Sequence, residues 1–245
     1  MTEATTAPTE VPPERRRWGL GDVAGGWVAV QLFSAIWGIT AISLAGRAGE
    51  DFEDLPLWLV AIAQLGLALA FVAVPYVVTR TKGRGLVADL GLRARWPDLW
   101  RGGLAGTLLQ VVAIPLLYWP LLELLDQSPS DLEGPARSLS DRADGVLGVV
   151  LLVLIVGVLA PIFEEIFYRG FMQQALVKRG LPPFASIGIT ALVFGATHFQ
   201  LLQLPGLVLA GAVFGVLAHR AGRLGPAIAA HVAFNVVTVA ALVAA

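Results

Sequence analysis

Apolar runs of about twenty residues recur along this chain, and that is the length an α-helix needs to cross the hydrocarbon core of a bilayer. Lipid offers no partner to a backbone amide, so such runs must be helices or a closed barrel. Unbroken apolarity, without strict alternation, selects helices. The runs predict spans at about 23–45, 55–79, 103–125, 145–179, 184–202, 205–221 and 224–244. The expected fold class is therefore all-α: a polytopic membrane helical bundle of about seven transmembrane helices. Composition agrees, with 56% hydrophobic and 14% charged residues, against about 25% charged in soluble domains.

Punctuation between the runs divides the chain. Residues 1–20, with Pro8, Pro12, Pro13 and the run Arg15–Arg17, are expected to form a disordered cytoplasmic tail. A basic stretch before an apolar run also resembles a signal peptide, but no small-residue cleavage site follows. Residues 21–144 hold the N-terminal membrane helices. Within them, 80–101 is a basic, amphipathic connector whose Trp96 and Trp100 suit the headgroup zone. Residues 126–144 form a polar, acidic linker. Residues 145–245 form a C-terminal group of helices. Its first helix is expected to run through Glu164 and Glu165 to about Arg179, before Gly180, Pro182 and Pro183 stop it.

Charge orients the bundle. With the N-terminus inside, fourteen of the 17 Lys and Arg residues fall on the inner side, leaving only Arg47, Arg137 and Arg142 outside. That bias predicts a cytoplasmic N-terminus and an outer C-terminus. The Ala-, Gly-, Val- and Arg-rich, Lys-poor composition fits a bacterial plasma membrane. The chain has no cysteine, which removes disulfides, thiolate metal sites and a cysteine nucleophile. No basic stripe with interleaved aromatics occurs, so nucleic acid is not an expected partner.

Polar residues inside apolar runs are costly, which makes them functional candidates. Glu165 and Arg169 stand one helical turn apart and can pair, while Glu164 points about 100° away. A paired carboxylate beside an unpaired, desolvated one suits general acid or base chemistry. His198 lies in the fifth apolar run, flanked by the small residues Gly195 and Ala196. His231 and Asn235 share one face of the last run. Each alone fits inter-helix hydrogen bonding equally well. His219 sits beside Arg220 at a span end and suits a solvated role. Gly206, Gly211 and Gly215 fit helix packing. Gly19-Leu20-Gly21-Asp22 mimics the G-x-G-D of intramembrane aspartyl proteases, but no second intramembrane aspartate accompanies it. Neither H-E-x-x-H nor G-x-S-x-G occurs.

Taken together and in order, Glu-Glu-x-x-x-Arg (164–169), Phe-x-x-x-His (194–198) and His-x-x-x-Asn (231–235) resemble the CPBP family. That family comprises the CAAX prenyl endopeptidases and the bacteriocin-processing or immunity proteins, also called the Abi family. The likeness covers the last hundred residues. It implies an all-helical intramembrane endopeptidase acting on a peptide or membrane-protein substrate within the lipid bilayer. In that reading Glu164 and His198 activate a water, His231 and Asn235 stabilise the oxyanion, and Glu165 and Arg169 are structural or electrostatic. The motif leaves metal dependence open: Glu164, His198 and His231 could instead hold Zn²⁺, as a metalloprotease His₂Glu set. Two other functions are compatible with buried Glu and His, namely a proton-coupled transporter and a non-catalytic immunity or scaffold protein. One geometric requirement follows. Glu164 and His198 can meet only if the fourth helix continues past Tyr168, or if the fifth begins below the bilayer surface.

Overall fold

The computed structural model describes residues 18–244. Nine helices run through the described residues: α1 Leu20–Leu44, α2 Leu57–Lys82, α3 Leu86–Leu90, α4 Trp96–Leu125, α5 Pro129–Ser140, α6 Gly145–Lys178, α7 Pro183–Ala196, α8 Leu204–Ala221 and α9 Gly225–Ala244. None of the described residues forms a strand. The protein is an all-helical polytopic membrane bundle. Its α1 packs on α2, α4 on α9, and α7 on α8, while α6 runs between α2 and α9.

Several boundaries differ from those the sequence predicts. Residues 1–17 of the expected tail lie outside the described residues, and Leu20 already opens α1. Asp22, the aspartate of the G-x-G-D mimic, accepts the Gly19 N–H at 3.0 Å and pairs with Lys82 at 2.5 Å. It is a helix cap, held to the end of α2. The connector is shorter than 80–101, because Trp96 opens the third long helix, α4. The 126–144 linker contains a helix, α5. Ser128 caps it by accepting the Asp131 N–H, while Asp131 returns the bond to the Ser128 N–H. This Ser-x-x-Asp pattern is a variant of the capping box, with aspartate in place of glutamate.

The count of spans also changes. Six helices are long and apolar enough to cross a membrane, and α7, with 14 residues, is not one of them. It ends at Ala196, well short of the expected 202. Beyond it the His198 N–H bonds the Gly195 carbonyl, and Phe199 turns to φ +56°. In return, α6 is continuous over 34 residues, or about 51 Å at 1.5 Å per residue. Glu164 lies fourteen residues before its end, and α7 climbs back by the same number. The hairpin of α6 and α7 carries the end of α7 back along α6, where Thr197 meets Tyr168, four residues beyond Glu164.

Proline and glycine shape the bundle core. Of three stretches of wide, π-type turn, two, Leu109–Ala113 and Val153–Leu159, sit just before Pro115 and Pro161, and the third, Ile166–Met172, carries Tyr168 and Arg169. A proline lacks the N–H that would close the preceding turn, so the ladder loosens there without breaking the helix. Gly102 and Gly106 form a G-x-x-x-G seam on α4, where backbone meets backbone. A methyl added at Gly106 would overlap the Ala230 carbonyl, and one at Gly102 the Pro226 carbonyl. The same end of the bundle carries a clasp. Arg223 donates to both oxygens of Asp98, at 2.8 and 2.6 Å. Backbone bonds Leu224 N–H to Gly91 and Gly225 N–H to Arg93 continue it.

Gly106→Ala is expected to destabilise the protein by about 1–3 kcal/mol through forced separation of α4 and α9. Gly103→Ala meets nothing within 4 Å. It should leave stability unchanged or raise it by up to about 1 kcal/mol. Denaturant unfolding of the detergent-solubilised protein checks both.

Candidate active site

Glu165, Arg169 and Gln173 follow one another at single-turn spacing and form a polar stripe along α6. Glu165 and Arg169 are both 0% exposed. Nη1 of Arg169 donates to Glu165 Oε1 at 2.8 Å, and Nη2 donates to the Gly211 carbonyl of α8 at 3.0 Å. One turn further, Gln173 donates to the Gly215 carbonyl at 3.2 Å. The glycines of α8 thus do more than pack. A methyl on Gly211 would stand 3.2 Å from Arg169 Nη2, and one on Gly215 would stand 2.8 Å from Gln173 Oε1. Their bareness lets long polar side chains of α6 reach carbonyls of α8. This role is legible only when the 165–169–173 spacing is set against 211–215.

An aromatic enclosure completes the setting. The Arg169 guanidinium lies 4.5 Å from the Phe194 ring and 5.5 Å from Phe214, a desolvated cation–π arrangement. His231 of α9 stacks on Phe214 at 4.5 Å and meets Phe194 edge-on at 5.6 Å. Its Nδ1 lies 2.9 Å from Glu165 Oε1, so that nitrogen donates to the carboxylate. Its Nε2 faces Glu164 Oε2 at 3.7 Å, the spacing of an ion pair with room to admit a third group. His231 therefore bridges both glutamates, and the carboxylate–imidazole contact fixes its ring orientation.

Glu164 differs from its neighbour. Its side chain is 17% exposed and fronts a cavity of about 40 Å³, shared with Gln64, Leu65, Phe71 and Phe163. That volume can hold a water molecule. A larger cavity of about 660 Å³ opens between α4, α5, α8 and α9, lined by residues such as Tyr118, Glu123, Glu133 and Gln203. None of the six predicted site residues lines it.

Asn235 is held by the irregularity of α6. In the wide turn the Ala160 N–H bonds Ile155. The next residue, Pro161, has no N–H for the Val156 carbonyl. Nδ2 of Asn235 fills that vacancy at 2.8 Å and keeps a second N–H in hand. His198 stands just past the end of α7, with Nδ1 2.7 Å from the Phe194 carbonyl. No hydrogen bond or ion pair joins it to Glu164 among the described residues. Phe194 lies between the two histidines, with its ring 4.8 Å from His198. The structure thus gathers Glu164, Glu165, Arg169 and His231 in one cluster, sets Asn235 one turn along α9, and puts His198 across the Phe194 ring.

No three His, Asp or Glu side chains converge as a metal cage among the described residues. Glu164, His198 and His231 do not converge as a His₂Glu set would.

Removing one member of a buried ion pair strands the other charge, at about 3–5 kcal/mol. Arg169→Met is expected to cost that much, and denaturant titration of the purified protein reads it. Conversely, Arg47→Met removes only an exposed pair with Glu50 and should cost less than about 1 kcal/mol.

Comparison with known proteins finds a family match for the C-terminal helices. Residues 146–237 match the family model described as Rce1-like, type II CAAX prenyl endopeptidase. No curated protein matches the chain, and no solved structure does.

Proposed function

Because residues 146–237 match the Rce1-like, type II CAAX prenyl endopeptidase family, we propose that this integral membrane protein hydrolyses a peptide bond of a membrane-associated protein or peptide, at a site built from Glu164 and His231 with Asn235 and His198 nearby. The observation that carries the reading is the division of labour between the two glutamates. Glu165 is fully buried and committed to Arg169 and His231, while Glu164 fronts a cavity of water size.

In this mechanism the Glu164 carboxylate takes a proton from a water, and the water oxygen attacks the scissile carbonyl carbon. His198 assists as a neutral imidazole. Its Nδ1–H is spent on the Phe194 carbonyl, which leaves Nε2 as the acceptor. The developing oxyanion is met by His231 Nε2–H and the second N–H of Asn235. Glu164 then passes its proton to the departing amine, so water and peptide become acid and amine. Two acidic groups face Arg169 and His231. The scheme asks His231 to donate from both nitrogens, Nδ1–H to Glu165 and Nε2–H to the oxyanion. Glu165 and Arg169 touch no substrate in this scheme and hold His231 in place. The basic bias of the loops supports an inward N-terminus and access from the cytoplasmic side.

Purified protein in liposomes is expected to cleave a farnesylated C-a-a-X peptide. Glu164→Gln and His198→Ala should each lower the rate by roughly a hundredfold or more, the scale of one lost acid–base group, while the variants stay folded. Cleavage by both at the parent rate would contradict the assignment.

A further inference from the structure

The mechanism leaves Tyr168 without a task, although it is 2% exposed at the centre of the bundle. It stands four residues beyond Glu164 and directly before Arg169. Its ring packs edge-on against Phe71, Phe167 and Phe194. Its hydroxyl lies 2.8 Å from Oγ1 of Thr197, the residue immediately before His198.

The direction of that bond follows from the neighbours. Thr197 Oγ1 lies 2.9 Å from the Phe194 carbonyl, which can only accept. A threonine hydroxyl has one hydrogen, so Thr197 donates to Phe194 and Tyr168 donates to Thr197. The same carbonyl receives His198 Nδ1 at 2.7 Å. It is free for both because the His198 backbone N–H has moved to Gly195. One carbonyl thus fixes the Thr197 rotamer and the His198 tautomer together.

The turn needs an anchor. Helix α7 has ended at Ala196, and Phe199 holds φ +56°, which costs a residue with a side chain about 1–2 kcal/mol. Among the described residues, the Tyr168–Thr197 bond is the only side-chain hydrogen bond from residues 196–199 to another helix. It runs to α6, the helix that carries Glu164.

We infer that Tyr168 is a positioning residue. Acting through Thr197, it keeps His198 Nε2 in its acceptor tautomer. The inference rests on the role given to His198 in the proposed hydrolysis, but its first test does not need turnover. The chain has three histidines, so ring-¹⁵N spectra of the whole protein in liposomes hold few signals, and His198→Gln assigns the relevant one. In the parent, His198 should show a single Nδ1–H tautomer. Tyr168→Phe and Thr197→Val should each convert that signal to a mixture of tautomers and leave His231 unmoved, while Thr197→Ser should restore the parent spectrum.

Kinetics on the farnesylated C-a-a-X peptide give the second readout. Tyr168→Phe and Thr197→Val should each lower kcat roughly tenfold, the effect of one lost hydrogen bond, with KM within about twofold. The double variant should be no slower than either single, because both remove the same bond. Thr197→Ser should stay within about twofold of the parent. An unchanged His198 signal in Tyr168→Phe, or losses that multiply in the double variant, would overturn the inference. If Tyr168→Phe fails to fold, the Thr197→Val and Thr197→Ser pair decides alone. Parent-level activity of Glu164→Gln and His198→Ala would remove the hydrolytic reading itself. Their inactivity beside a fully active Tyr168→Phe would remove only this inference.

Discussion

An ion pair with neither side chain open to solvent cannot be explained as a source of stability. Desolvating Glu165 and Arg169 costs several kcal/mol per ion, and apolar residues of similar volume would often serve the fold as well. The surroundings are built to tolerate the pair. Gly211 offers its carbonyl, Phe194 and Phe214 offer ring faces, and His231 donates to the same Oε1 of Glu165 that Arg169 holds. Even so, Glu165 Oε2 and Arg169 Nε find no partner among the described residues. Compensation is therefore incomplete, and each unpartnered atom carries its own desolvation cost. What the pair yields is an imidazole fixed in place beside a second, partly open carboxylate.

The rest of the fold follows from delivering groups to that point. Helix α6 is long: it carries Glu164 near its middle and runs on to Lys178 before α7 turns back to set Thr197 against Tyr168. It is also irregular. The wide turn before Pro161 orphans the Val156 carbonyl, and Asn235 answers it. A perfectly regular α6 would leave that amide without its anchor. Wide turns and prolines of this kind are expected near functional sites, where local strain is offset by surrounding contacts. The G-x-x-x-G seam between α4 and α9 and the Asp98–Arg223 clasp then fix α9, which carries His231 and Asn235, against the remaining helices.

Much of this was legible in the residues themselves. Apolar run length gave the bundle, and one-turn spacing gave the Glu165–Arg169 pair. The continuity of α6 followed from a helical pattern that runs on to Gly180, Pro182 and Pro183. What the sequence concealed depends on partners distant along the chain. The end of α7 at Ala196 is invisible to hydropathy, because Phe199, Leu201 and Leu202 continue the apolar run. The Gly211 and Gly215 carbonyls gain meaning only against Arg169 and Gln173, and Asp98 only against Arg223. The capping pattern Ser128-x-x-Asp131 was local and could have revealed α5. The bridge from His231 to both glutamates has no local signature, since it spans two helices.

The central claim is that Glu164, and not its buried neighbour, faces the reacting carbonyl. A structure of the Glu164→Gln protein holding an uncut peptide that the parent cleaves tests it most directly. The account predicts the scissile carbonyl carbon beside residue 164, with space for one water at about 3–3.5 Å, and its oxygen turned toward His231 and Asn235. A peptide seated away from residue 164, or one whose carbonyl oxygen points away from His231 and Asn235, would contradict it.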